Sequence, residues 1–514
     1  MKMKWASIRA RRTAALAATA IAVTACAVLQ PGTAQASTLQ PGTAEASTYP
    51  TTSFPAYTQP VTITWWTFTA NPESEIKAFN KVYPNIHIVD PLMGASTDEY
   101  TRLTTAIKGG SGGPDVAEVE YEYLPKFIAT DGLLNIAQYV DQYKDLFPSW
   151  TWNQVSVGKA VYGVPQDVGP MTMTYQPAVL AKYGLAVPKT WAQFAAEGEV
   201  LHQKDPGEYM TYVPLNDAAW WMTMFWQAGA VLFKQNANGS WQVNLDSAVV
   251  RKVSSYWGQL IKEGVVDATQ DWTPAWEHAM GQGTFATVPG ATWTPNYMIQ
   301  PFADAATAKA WRMTSVPQWS ASSAAIGANE GGAANVVLAQ SKHQEAAAIF
   351  AAWIDASEQG VATKIANVSA GGQGLTAAAT YSDTLPAFSA PASALDGQDE
   401  GPVMKQASAI VDPSFQWSPW TDYVFNELEV EYTDAAGGGE TWDEANANIQ
   451  RSVLVFAESM GYDVAGPSSA SGSSQAAASV SAWSSPALYI VIGLGVLIAA
   501  VVVYRRRTVP VVGR

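Results

Sequence analysis

Aromatic side chains interleave with carboxylates and amides at points where the sequence leaves a strand or a helix. They are Glu118, Glu120, Tyr121 and Glu122; Asp167; Asp271, Trp272 and Trp276; Trp293; Glu330; and Asp412 with Trp417 and Trp420. Flat aromatic faces stack on the apolar patches of a sugar ring, while Asp, Glu, Asn and Gln exchange hydrogen bonds with its hydroxyls. The chain holds 21 Trp in 514 residues, more than a core needs, because indole is large and its N–H requires a partner when buried. Core filling is still the default role of each Trp taken singly, and a few are expected to line a ligand surface.

Bond-making chemistry has no comparable signature. The four histidines, His87, His202, His278 and His343, are scattered over strand and helix positions, and Cys26 is the only cysteine. The sequence therefore offers no Cys-rich metal site and no intrachain disulfide, and no Gly-x-Ser-x-Gly elbow, on a strand-to-helix turn, places a nucleophile. A glycosidase needs two placed carboxylates, and with 44 Asp and Glu the sequence does not exclude such a pair. The Gly109–Gly113 run follows a helix and lacks a closing Lys-Ser/Thr, so it reads as a turn rather than a phosphate loop. A net charge of -15 argues against nucleic acid, which needs a basic footprint; it leaves room for a cationic ligand. No enzyme activity, cofactor or metal is expected.

The stretch that must position these groups is Val161 to Gln176. Val161–Pro165 reads as the end of one strand and Met171–Tyr175 as the start of another, with Gln166, Asp167, Gly169 and Pro170 between them. Polar and conformationally special residues in an apolar neighbourhood mark a crossing from one core to a second. Before it, Val61–Phe68 alternates as a strand with both faces apolar, as in a parallel sheet. Asn71-Pro72 opens a helix, Ile86–Val89 is a strand, Thr97–Lys108 a helix, and Pro114–Tyr121 a strand entering a polar loop. This is the pattern of an α/β lobe.

After the crossing, Thr190 caps a helix with Gln193 in the box position. Trp220, Trp221, Met222, Met224, Phe225 and Trp226 follow at helical spacing, with Trp220 or Trp221 the candidate to face a ligand. Asp246 caps a helix carrying Val250, Val253, Trp257 and Leu260. Phe285–Trp293 and Met313–Val316 read as strands. Near residue 325 the chain returns to the first lobe through Val336–Leu338 and a helix capped by Ser341, with Phe350 and Ile354 on its face. Two last helices span about 423–432 and 441–458.

Both ends read as addresses. Basic residues from Lys2 to Arg12 precede an apolar run, Thr13–Ala25, which is the pattern of a secretory signal peptide (1–36). Its Val23-Thr24-Ala25-Cys26 resembles a lipobox, with lipidation of Cys26 as the alternative cleavage. Residues 37–60, including most of a duplicated Leu-Gln-Pro-Gly-Thr decapeptide, read as linker, and 463–486 as a Ser/Ala-rich stalk. Residues 487–504 are uncharged and precede Arg505, Arg506 and Arg507, so a transmembrane helix and a cytoplasmic tail (505–514) are expected. These readings put the body on the extracellular face of the cell membrane, with the lipid bilayer as a partner.

Several motifs together resemble the extracellular solute-binding protein family 1, the maltose-binding-like carbohydrate-binding proteins of ABC importers. They are Ile63-Thr64-Trp65-Trp66, Gly113-Pro114-Asp115-Val116, Asp131-Gly132-Leu133-Leu134, Tyr162-Gly163-Val164-Pro165 with Tyr175, Gly184-Leu185 with Pro188-Lys189-Thr190-Trp191, Gly331-Gly332, and Glu345-Ala346-Ala347 to Phe350 and Trp353. The resemblance implies an α/β, two-lobed periplasmic-binding-protein-like fold with hinge crossings near 167 and 320 and a central ligand cleft. It implies lobe 1 from 61–167 and 323–400, lobe 2 from 168–322, and C-terminal helices at 401–462 packing on the lobes. Ligand contacts are then expected from Trp66 and Phe68, Glu120 and Tyr121, Asp167, Trp272, Trp293 and Glu330; Trp220 and Trp417 are added from the aromatic pattern.

The implied function is delivery of an oligosaccharide to ABC permease subunits by a monomeric body. Two features depart from the family: the expected C-terminal membrane helix, and Tyr175-Gln176 where Tyr-Asn is usual. The first keeps open a surface glycan receptor or adhesin, and less readily a glycan-acting enzyme.

Overall fold

The computed structural model describes residues 53–466 apart from 70–71, 92–95, 300, 303–310, 370–375, 380–394 and 396. The opening strand, Val61–Trp66, pairs in parallel with Ile86–Val89 on one side and Val116–Glu120 on the other. The return strand, Ala333–Val337, lies antiparallel between Val116–Glu120 and Gly163–Pro165, completing a five-stranded sheet. Ile63 and Trp65 point into the core, whereas Thr62 is exposed and Thr64 and Trp66 are half-buried. The face of Ile63 and Trp65 is thus the fully covered one, whereas the other carries two threonines and the half-buried Trp66.

Helix Gln344–Ala356 is buried along Ala346–Ala356. Its alanines let it seat closely among the sheet and the helices Glu73–Val82 and Glu358–Ser369. Phe350 packs edge-on against Trp65 and Phe79, at 5.1 and 5.0 Å between ring centroids. The one buried residue of this helix that carries charge, Asp355, is paired with Lys364.

The crossing is short. Asp167–Val168 pairs with Thr376–Ala377, and Met171–Tyr175 then enters a second sheet as the central strand, antiparallel to both Thr287–Ala291 and Arg312–Ser315. Gly169 explains why the chain can pass. A Cβ there would lie 2.1 Å from the Glu330 carbonyl oxygen and 2.6 Å from the Trp293 indole nitrogen.

Helix Ala218–Gln227 is apolar all round and buried on nearly every residue, as a helix inside a large core must be. The C-terminal helices Thr421–Gly437 and Trp442–Ser459 pack against it and against Ala248–Lys262. Thr441 and Glu444 form a reciprocal capping box at the last helix. Thr190 caps Trp191–Lys204 as expected. The cap of Ala248–Lys262 is Ser247, because Asp246 is engaged by Arg251 at 2.6 Å. Ser341 does not cap the return helix; its hydroxyl donates to Asp115 at 2.6 Å and accepts from the His343 amide.

The expected membrane anchor requires correction. Among the described residues no helix is long and apolar enough to cross a membrane. Residues 487–504, with most of the stalk, the signal peptide and Cys26, lie outside the described residues. The transmembrane helix, the bilayer as a partner and the cell-membrane location are therefore withdrawn.

Candidate ligand-binding cleft

On the side of the five-stranded sheet, the loop after the opening strand is gathered around one carboxylate. Glu118 accepts hydrogen bonds from the Thr67 and Thr69 hydroxyls and from the Phe68 and Thr69 amides. This holds Phe68 edge-on to Tyr100, at 6.4 Å. The Tyr100 hydroxyl donates to Glu120 Oε2 at 2.9 Å and accepts from the Glu120 amide at 2.8 Å. Trp66, Phe68 and Glu120 are all half-buried, available at the end of their strands.

A second group forms around Met171–Tyr175 and its neighbours. Trp272 is 45% exposed and has φ of 55°, a left-handed conformation that is uncommon for a bulky residue and marks a position held by its surroundings. The Asn216 side chain supplies the hold, accepting from the Asp271 amide at 3.0 Å. Trp272 meets Tyr297 edge-on at 5.9 Å, and Tyr297 meets Trp293 at 6.0 Å. Trp293 is pinned to the crossing, its indole N–H donating to the Glu330 carbonyl at 3.2 Å, while the Glu330 amide donates to the Gly169 carbonyl at 2.9 Å.

The remaining candidates lie deeper. Tyr121 is buried and donates to the Asp167 carbonyl at 3.0 Å; Asp167 is buried and accepts from the Ala333 amide at 2.8 Å. Both support the crossing. Trp220 is packed between Trp221 and Trp257 with its N–H on the Pro289 carbonyl, and Trp417 packs between Phe415 and Phe425. These two rings fill the core.

Electrostatics join the two sides. Burial raises the Glu122 carboxyl well above its usual range, and the charges of Glu120, Asp217 and Glu330 raise it further. Glu330 is raised by burial and then by Asp217 and Asp271. Burial, followed by Asp217, brings Asp271 to about 7. Glu120 also reaches about 7, through burial and the charge of Glu118. Asp167 reaches about 8 by burial and then Glu118. Sequence reasoning names Glu122 and Asp271 but not Asp217, which caps Ala218–Gln227 through the Trp220 amide at 3.0 Å. Its signal is an Asp directly before an apolar helical run.

Behind the cleft runs a buried polar chain. The Trp65 N–H donates to Asn335, whose amide donates to Gln166 and Asp355, and Gln166 in turn donates to Glu118 at 2.7 Å. Among the described residues no group of three or more His, Cys, Asp or Glu is placed to hold a metal ion.

Two α/β halves joined at a short crossing, with aromatic and acidic groups gathered beside it, are the architecture of a bilobed binding protein. The chain belongs to the family described as bacterial extracellular solute-binding protein, which it matches over residues 40–361. It is 28% identical over 314 residues to an arabinooligosaccharide-binding protein of Bacillus subtilis (strain 168), covering 58% of this chain and 70% of that one. A solved structure of the ABC transporter associated binding protein from B. animalis subsp. lactis Bl-04, in complex with beta-1,6-galactobiose, superposes with a TM-score of 0.68 at 26% identity. That match covers 79% of this chain and 100% of the other. The galacto-N-biose-/lacto-N-biose I-binding protein from Bifidobacterium longum shares the fold, with a TM-score of 0.70 at 23% identity over 80% of this chain and 100% of that one.

Proposed function

We infer that this protein is the carbohydrate-binding component of an ABC transporter, closing two lobes on an oligosaccharide and handing it to permease subunits. The observation that carries this reading is the aromatic run Trp272–Tyr297–Trp293, which is anchored to the crossing at the backbone of Glu330. Successive rings suit successive sugar units, and hydroxyl-binding groups at their edges set orientation. The relatives' sugars, arabinooligosaccharides and galactobiose, support an oligosaccharide rather than a free monosaccharide. The family and fold correspond to binding proteins without catalysis.

In this reading lobe 1 comprises 61–167 and 323–400, lobe 2 comprises 168–322, and helices in 401–462 brace lobe 2. Trp66, Phe68, Glu120, Trp272, Trp293 and Glu330 contact the ligand, and Tyr121 and Asp167 hold the hinge. Ligand binding stabilises the closed state by its differential affinity for it. A thermal-shift screen against mono- and oligosaccharides tests the reading. One oligosaccharide class should raise the melting temperature by several degrees with no product after long incubation. Product formation, or no shift with any sugar, would overturn it.

A further inference from the structure

Glu118 is fully buried, and donors fill both of its oxygens. Oε2 accepts from the Thr67 hydroxyl and from the Phe68 and Thr69 amides, the two amides at 3.2 Å. Oε1 accepts from the Thr69 hydroxyl at 2.8 Å and from the Gln166 side-chain amide at 2.7 Å. The loop after the opening strand thus shares one carboxylate with the first residue of the crossing. Gln166 also donates to the Thr69 hydroxyl at 3.3 Å, so the crossing grips the loop twice. Beyond the end of the strand at Trp66 the Phe68 amide has no ladder to join, and Glu118 takes the place of one.

The direction of these bonds is fixed at both ends. The Trp65 indole can only donate, and the Glu118 and Asp355 carboxylates can only accept. Between them Asn335 and Gln166 each have one arrangement that satisfies both neighbours. Turning Gln166 would set its amino group against that of Asn335. Turning Asn335 as well would set an amino group against the Trp65 N–H and an oxygen against Asp355. Burial raises the Glu118 carboxyl above its usual range, and the bonds from Thr67 and Thr69 and the charge of Lys364 oppose that rise.

We propose that Glu118 is the residue that positions Phe68 for the ligand, by tying the loop that carries it to Gln166 of the crossing. The proposal rests on the carbohydrate-binding reading, in which Phe68 touches the sugar. What the carboxylate holds is the Phe68 backbone; the ring is half-buried and stands edge-on to Tyr100 at 6.4 Å. The ring's place is therefore set where the two halves join, through bonds to an ionised acceptor, which are the stronger kind.

Isothermal titration of the full chain with trimers of arabinose, galactose and glucose, and then of variants with the tightest of them, tests the proposal. Glu118→Gln keeps the shape and sets an amino group against donors, either at Gln166 or at the Phe68 and Thr69 amides. It should weaken binding about tenfold. Phe68→Ala should weaken binding by a similar factor, and Glu118→Gln added to it should cost nothing more, because the carboxylate acts through that residue; a general structural defect would add its full cost in both backgrounds. Exchanging the two residues, Glu118→Gln with Gln166→Glu, gives the amino group a carboxylate to meet and leaves Asn335 its acceptor, so most of the affinity should return. Should Glu118→Gln melt too low to titrate, Thr69→Val, at the half-buried rim, replaces it: severalfold weaker alone, and without effect on top of Phe68→Ala. If Glu118→Gln binds as tightly as the parent, if its cost persists on top of Phe68→Ala, if Phe68→Ala costs nothing, or if the exchange recovers nothing, the inference falls and the carbohydrate-binding reading stands. If none of the three trimers binds, both fall.

Discussion

Lys364 Nζ lies 2.6 Å from Asp355 Oδ1, with the two side chains 2% and 0% exposed. The pair joins helix Glu358–Ser369 to helix Gln344–Ala356 and reaches the crossing through the Gln166 carbonyl, which accepts from the same ammonium at 3.3 Å. Burial raises the Asp355 carboxyl to about 6 despite the lysine, so the pair depends on its partners being in place.

Removing one member of such a pair leaves an uncompensated buried charge. Lys364→Met should destabilise the protein by about 3–5 kcal/mol, read as a lower urea midpoint. Lys364→Met with Asp355→Leu should recover part of the loss. A double variant no more stable than the single one would show that the pair contributes through packing instead.

Trp272 is exposed and contacts the ligand in the proposed site, so its loss should cost affinity and not stability. Trp272→Ala is expected to weaken oligosaccharide binding about tenfold, in line with about 1.4 kcal/mol of aromatic contact, with an unchanged melting curve. Unchanged affinity in titration calorimetry would remove this ring from the site.

Gly169→Ala should be damaging, although alanine is the smallest change available. Its Cβ would meet the Glu330 backbone oxygen at 2.1 Å, and a backbone atom cannot rotate away. We expect about 1–3 kcal/mol of destabilisation together with weaker ligand binding, because Trp293 and Glu330 must shift. Full affinity in this variant would separate the crossing from the site.

Stability should depend on pH in an unusual direction for carboxylates. Unfolded, Glu120, Asp271 and Asp167 titrate near about 4; folded, they titrate at about 7, 7 and 8. Between those values the folded state binds more protons than the unfolded state, so stability falls as pH rises. The ligand-free protein should melt several degrees higher at pH 5 than at pH 8. Glu330→Gln should narrow that gap by raising the melting temperature at pH 8. A melting temperature that rises from pH 5 to 8 would show these groups to be solvated.

Much of the fold is legible in the sequence, for local reasons. The opening strand follows from its alternation, the helix at Trp191 from Thr190 and Gln193, and the crossing from Gln166 to Pro170. The antiparallel setting of Ala333–Val337 is not legible, because an apolar strand carries no mark of its neighbours' direction. Trp220 resists reading for a related reason: a helix apolar on every face has no periodicity to say which ring is core. Trp293, Trp272 and Glu330 are proposed as ligand contacts from their polar and aromatic surroundings in the sequence. Asp217 does not, since a cap and a cleft carboxylate look the same until the chain is folded.

The position of the return strand has a consequence for how the protein is made. Ala333–Val337 lies between Val116–Glu120 and Gly163–Pro165, so residues 61–165 leave the ribosome with an unfilled slot in their sheet. The helix that covers that sheet, Gln344–Ala356, emerges later still. Pairings this distant along the chain close slowly, and open strand edges invite wrong partners meanwhile. The second sheet, built within residues 171–315, can form first and wait. A nascent polypeptide ending before residue 333 would therefore hold the strands of the second sheet with the helices that cover Ala218–Gln227 still to come, and a first sheet that cannot close.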